Sequence, residues 1–143
     1  MRYQSRKSSC GPAALANALE AIGVVRSEDE LGVLSKQDVN GTSSVNLRKA
    51  AEATGVETVL VNEQRDEVAE WCINSHINAG HSGLLVVDND EHWVAIIGRL
   101  NGTYIVADSA DNDLLCFYDT KSLLDRWRNV HGKFSGFFLV KSK

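Results

Sequence analysis

The 143-residue sequence predicts an α+β fold, with helices in the N-terminal half and a mainly antiparallel sheet in the C-terminal half. Two observations predict it. Up to about residue 79 the apolar residues recur at helical spacing and are broken by cap and stop signals, with one β-branched run among them. From Leu84 onward the chain carries five short apolar runs punctuated by Gly, Asn and Asp. Hydrophobic residues at 43% and charged residues at 24% are ordinary globular values, so residues 1–143 are expected to form a single domain with its own core.

Each element has a local reason. Residues 10–22 read as a helix that Ser8 or Ser9 can cap, with Pro12 in the first turn and Gly23 as its stop. Ser27-Glu28-Asp29-Glu30 has the form of a capping box and opens a short helix through Leu34. Thr42 or Ser43 caps a third helix carrying Val45, Leu47, Ala50, Ala51 and Ala53, and Gly55 ends it. Val56 to Val61 is β-branched and reads as a strand. Asp66 to Ala79 is helical again, with Val68, Trp71, Cys72 and Ile77 expected to face inward. The five later runs are 84–87, 92–100, 104–107, 114–118 and 137–140, with a short helix from Thr120 to Asn129 before the last.

Several classes of function are excluded at this level. A formal net charge of −4 with no dense basic stripe argues against a nucleic-acid partner. No apolar run approaches eighteen residues, and no signal-peptide core follows Met1, so no membrane segment is expected. Three cysteines without a CxxC pair fit neither a disulfide framework nor a zinc finger, which points to a reducing, cytoplasmic setting. Asp108 to Asp113 lacks the glycine and terminal glutamate of a calcium loop, and no phosphate-binding glycine pattern occurs. No cofactor and no metal are expected.

The candidate chemistry starts at Cys10. A lone cysteine by itself reads as a small core hydrophobe, and Cys72 and Cys116 are read that way. Cys10 differs because it opens a helix, where unpaired N–H groups and the helix dipole favour the thiolate. Gly11 leaves room for a backbone or a substrate beside the sulfur. Of four histidines, His76, His81 and His131 read as surface or loop residues. His92 opens the apolar strand HWVAIIG after the acidic turn Asp88-Asn89-Asp90-Glu91.

That strand, the Asn101-Gly102 pair and the strand ending at Asp108 form a hairpin signal. With a two-residue turn, paired residue numbers sum to 203, and His92 and Asp108 point to opposite faces. A three-residue loop ending in a bulged Gly102 makes the sum 202 and puts both on one face. The reading therefore requires the three-residue loop. Cys10 is then the nucleophile, His92 its proton partner and Asp108 the group that orients the ring, with Gln4 as the candidate side-chain donor to an oxyanion.

QSRKSSCGPAAL, GTSS, HWVAIIG and ADS together resemble the papain-like peptidase domain of bacteriocin-processing exporters, which removes double-glycine leader peptides. The resemblance spans nearly the whole chain, including the final run GFFLV. It implies a papain-like fold with Gln4 at the oxyanion hole, Cys10 as nucleophile, His92 as base and Asp108 as orienting acid. It also implies a peptide or protein substrate. Ser109 stands where that family usually has proline. With no membrane region or ATPase in these 143 residues, a free-standing form is expected, and with three residues before Gln4, no covering propeptide. The same chemistry also serves acyl transfer or deamidation, and a silent peptide-binding module is the reading from another class. A narrow cleft is expected, with Trp93 in the core and the acids Asp88, Asp90 and Glu91 drawing a basic substrate segment.

Overall fold

The computed structural model describes residues 10–36, 43–110 and 114–141. Gln4, Ser8, Ser9, Thr42 and residues 111–113 named above lie outside them. The elements run α1 (Cys10–Ala21), α2 (Glu28–Leu34), α3 (Ser44–Ala53), β1 (Val56–Glu63), α4 (Asp66–Asn78), β2 (Ser82–Val87), β3 (His92–Leu100), β4 (Thr103–Ala107), β5 (Leu115–Tyr118), α5 (Thr120–Trp127) and β6 (Phe134–Lys141). The fold is α+β, with a six-stranded sheet in the order β1-β6-β2-β3-β4-β5. Every pairing is antiparallel.

Local chemistry sets the helix starts. Ser27 accepts from Glu30 N–H at 3.1 Å, and Ser43 accepts from Asn46 N–H at 3.2 Å. α1 is buried from Gly11 to Leu19, because small alanines let it lie between the sheet and its neighbouring helices. Gly11 does open space, but Leu47 of α3 fills it: a Cβ there would lie 3.1 Å from that side chain. The close approach expected beside the sulfur is thus helix packing, not substrate.

Two cores sandwich the sheet. Leu15 and Leu19 of α1, Leu31 of α2 and Leu47 of α3 pack on one face with Trp93, Ala95 and Ala107. Ile73 of α4 and Leu123 and Trp127 of α5 pack on the other with Val94, Val106 and Phe138. In α4 the buried stripe is Ala69, Ile73 and Ile77, a four-residue spacing that turns Trp71 outward to 68% exposure. Trp71 is therefore surface, and Cys72 on the flank of the stripe is half-buried. Cys116 is also half-buried, because β5 is an edge strand with only one neighbour. His76 and His81 are not plain surface residues either. Their Nδ1 atoms lie 2.9 Å apart, and His76 stacks on Phe138 at 4.2 Å.

The β3–β4 hairpin corrects the expected loop. Leu100 pairs with Thr103 across a two-residue turn, with Asn101 and Gly102 both left-handed at φ 53° and 79°. The register then shifts between Ile96 and Gly98, so Ile97 is an extra residue on β3. Beyond this bulge Ile96 pairs with Val106 and Ala95 with Ala107, pairs whose numbers sum to 202. The parity that puts His92 and Asp108 on one face comes from a bulge inside the strand, not from the loop.

Candidate active site

Three separate elements converge at one end of the sheet. Cys10 is the first residue of α1, His92 the first of β3, and Asp108 follows the last residue of β4. His92 Nε2 lies 2.6 Å from Asp108 Oδ1, with side-chain exposures of 14% and 4%. Cys10 is half-buried, and the His92 side chain and the backbones of Trp93 and Gly11 act on its sulfur.

Electrostatics follow from these contacts. Burial pushes the Cys10 thiol up, but the hydrogen bonds from His92 and from the Trp93 and Gly11 backbones outweigh it, and its pKa is lowered overall. Burial disfavours a charged His92, yet hydrogen bonds to Asp108 and Cys10 raise its pKa to about 9. Asp108 is held well below the usual carboxylate range: its burial is outweighed by His92, Arg126 and the Ala110 N–H, which donates to Oδ1 at 3.1 Å. Both shifts favour a thiolate beside an imidazolium.

Arg126 is the residue that sequence reasoning missed. It sits in the last turn of α5, where a basic side chain reads simply as a complement to the helix dipole. Its Nη2 donates to Asp108 Oδ2 at 2.9 Å and to Asp88 Oδ2 at 2.9 Å, and its Nε donates to Asp88 Oδ1 at 3.0 Å. Its Nη1 reaches the Tyr118 hydroxyl at 2.9 Å. No spacing rule links positions 18 and 38 residues apart in the chain.

The acidic turn before His92 is also built differently from expectation. Asp88, Asn89 and Asp90 are left-handed in succession, at φ 54°, 59° and 65°. Each is anchored by its side chain: Asp88 on Arg126, Asn89 by the Val130 N–H at 3.2 Å, and Asp90 by Asn129 Nδ2 at 2.8 Å. A cleft of about 630 Å³ opens beside the turn, lined by Ser44, Leu60, Val86, Trp93 and Gly136. Trp93 is mostly core, packing edge-on to Phe137, and its remaining surface walls this cleft. Asp90 lines the cleft together with His131 and Lys133, so its wall is not uniformly acidic.

Among the described residues no cluster of three or more His, Cys, Asp or Glu is arranged for a metal. Nor is any helix long and apolar enough to cross a membrane.

Comparison with known proteins fits this architecture. The structure superimposes on the peptidase domain of Streptococcus ComA, a bi-functional ABC transporter involved in a quorum-sensing pathway. That match has a TM-score of 0.75 at 21% identity and covers 99% of this chain and 97% of that one. A double glycine motif protease from an AMS/PCAT transporter, solved with its leader peptide, gives 0.74 at 16% identity, over 98% and 89% of the two chains. A C39-like peptidase from Bacillus anthracis gives 0.74 at 13%, over 100% and 94%. An uncharacterized protein of Methanothermobacter marburgensis is 49% identical over 107 residues, 75% of this chain and 69% of that protein. One from Methanothermobacter thermautotrophicus is 47% identical over 53 residues, and the match spans only 37% of either chain. The Peptidase C39 family profile matches residues 1–131, and the chain belongs to that family.

Proposed function

We propose that the protein is a cysteine peptidase that hydrolyses a peptide bond through Cys10, His92 and Asp108. The observation that carries this reading is the 2.6 Å contact of His92 Nε2 with the buried Asp108 Oδ1, with the half-buried Cys10 thiol held down by the same His92. The Cys10 thiolate attacks the carbonyl carbon. The His92 imidazolium gives its proton to the departing amine, leaving a thioester on Cys10. Water then attacks the thioester while neutral His92 takes its proton, and the acid is released as the thiolate–imidazolium pair re-forms. Asp108 holds the ring in one orientation and remains ionised throughout. The negative oxygen of each tetrahedral intermediate needs donors, for which the Cys10 backbone N–H and Gln4 are the candidates.

The substrate is an extended peptide with small residues before the scissile bond. What supports this is the likeness to a double glycine motif protease. The test is a peptide series differing only at the two positions before the bond: Gly-Gly, Gly-Ala, Ala-Ala and Leu-Leu. Wild type should cleave Gly-Gly with kcat/KM at least about 10²-fold above Leu-Leu, and Cys10→Ala should cleave neither. Equal rates for Leu-Leu would remove the narrow cleft. Cleavage surviving in Cys10→Ala would remove the mechanism. A product carrying an added amine in place of water would make the enzyme an acyl transferase.

A further inference from the structure

We infer that Arg126 is the positioning residue that locks the Asp108 carboxylate onto His92, with Asp88 gripping the guanidinium from the far side. This rests on the peptidase reading of the same site and adds a fourth and a fifth group to it. From the β2–β3 turn to the helix start, the groups alternate in sign: Asp88, Arg126, Asp108, His92, Cys10.

The geometry carries the inference. Asp108 is the residue just after β4, at the start of a loop, and its carboxylate could rotate unless both oxygens are held. Oδ1 takes His92 at 2.6 Å and the Ala110 N–H at 3.1 Å, and Oδ2 takes Arg126 Nη2 at 2.9 Å. Turning the carboxylate to offer His92 a different edge breaks all three contacts. Arg126 is itself fixed. Its Nε and Nη2 make a bidentate pair with Asp88, its Nη1 is on Tyr118, and its backbone carbonyl accepts the Asp88 N–H at 3.3 Å. α5 is pinned beneath it by Leu123, Leu124 and Trp127, all buried. A lysine could keep the charge but not the fork, since an ammonium has no planar edge to bridge two carboxylates.

Positioning and bare charge predict opposite results. The charged and titratable groups around Arg126 are Asp88 from the turn, Asp108 after β4, Tyr118 from β5, and beyond them His92 and Cys10. If Arg126 acted only through charge, removing it would take a cation away from His92 and make the ring easier to protonate. If it acts by holding Asp108, its loss frees the carboxylate and makes the ring harder to protonate.

The experiment measures the His92 imidazole resonance by NMR and the iodoacetamide alkylation rate of Cys10, both against pH. The proteins are wild type, Arg126→Gln, Arg126→Lys and Asp88→Asn. We expect the His92 midpoint to fall by about one pH unit or more in Arg126→Gln and by less in Arg126→Lys. Asp88→Asn should move it the same way by a smaller amount. The acid-side step in Cys10 alkylation should move upward in parallel. If Arg126→Gln does not fold, Arg126→Lys carries the same test, because it keeps the charge and loses the fork. A His92 midpoint that rises, or one unchanged in every variant with only the melting temperature lowered, overturns the inference. A wild type whose His92 titrates near 9 while Cys10 behaves as a free thiol overturns the peptidase reading instead.

Discussion

Surroundings rather than burial separate Cys10 from Cys72. All three cysteines are half-buried, and none is in a disulfide. Cys10 meets His92 and two backbone bonds that favour its thiolate, whereas burial and the Glu63 carboxylate push the Cys72 thiol up. Cys10 should therefore be alkylated fastest at pH 6, by roughly tenfold or more over Cys72, because its thiol pKa is lowered where that of Cys72 is raised. Site-resolved mass spectrometry of a brief iodoacetamide pulse measures this, and earlier modification of Cys72 or Cys116 would place the nucleophile elsewhere. Cys10, His92 and Asp108 were readable because each sits at an element boundary marked in the sequence by a cap, an acidic turn or a strand end. Arg126 was not, since its partners lie on other elements and a basic residue at a helix end has a sufficient local explanation.

Element boundaries were legible because caps and stops are local chemistry; parity and facing were not, because they depend on neighbours. Trp71 shows the second kind of failure: only the sheet beneath α4 decides which stripe is buried. The hairpin shows it more sharply. The reading required a three-residue loop where Asn-Gly makes a two-residue turn, and the residue that restores parity, Ile97, is one apolar residue in an apolar run. The bulge makes an unusual prediction. Deleting Ile97 leaves Ile96 paired with Val106 and Gly98 with Ile105, now as neighbours in a regular ladder. His92 and Asp108 should stay on one face. The Cys10 alkylation profile should survive, at a stability cost of about 1–2 kcal/mol for lost packing. Deleting Ala107 has no bulge to absorb it. Asp108 would move into the place opposite Ala95 and face the α1 side, and the profile should become that of a free thiol. If the Ile97 deletion loses the profile while still folding, the bulge has a further role in shaping the site.

For the molecule as a whole, the site couples folding to pH in a way that no single residue reports. His92, raised to about 9, contributes stability that is complete below the unfolded value of ~6.5 and is lost as pH climbs toward 9. Cys10, lowered, contributes stability that is present above the unfolded thiol's ~8.5 and is lost as pH falls through its folded value. Above both ~6.5 and the lowered folded value of Cys10, and up to about pH 8.5, the folded pair holds one proton, on His92, and the unfolded chain also holds one, on the thiol. The two slopes cancel, and this site leaves wild-type stability flat there. Cys10→Ala removes one slope and keeps the other, because Asp108 still binds His92. That variant should lose about 1–2 kcal/mol between pH 6.5 and 9 relative to wild type. Both proteins should lose stability together below about pH 4, where Asp108, depressed by His92 and Arg126 in the fold, takes up a proton in the unfolded chain first. Urea unfolding of both under reducing conditions, from pH 3.5 to 9.5, gives the two curves. A constant difference between them from pH 6.5 to 9 would mean that Cys10 and His92 do not titrate as a pair. Curves that diverge steadily from the titration of the folded thiol up to about pH 8.5 would identify a thiolate–imidazolium pair in the folded protein.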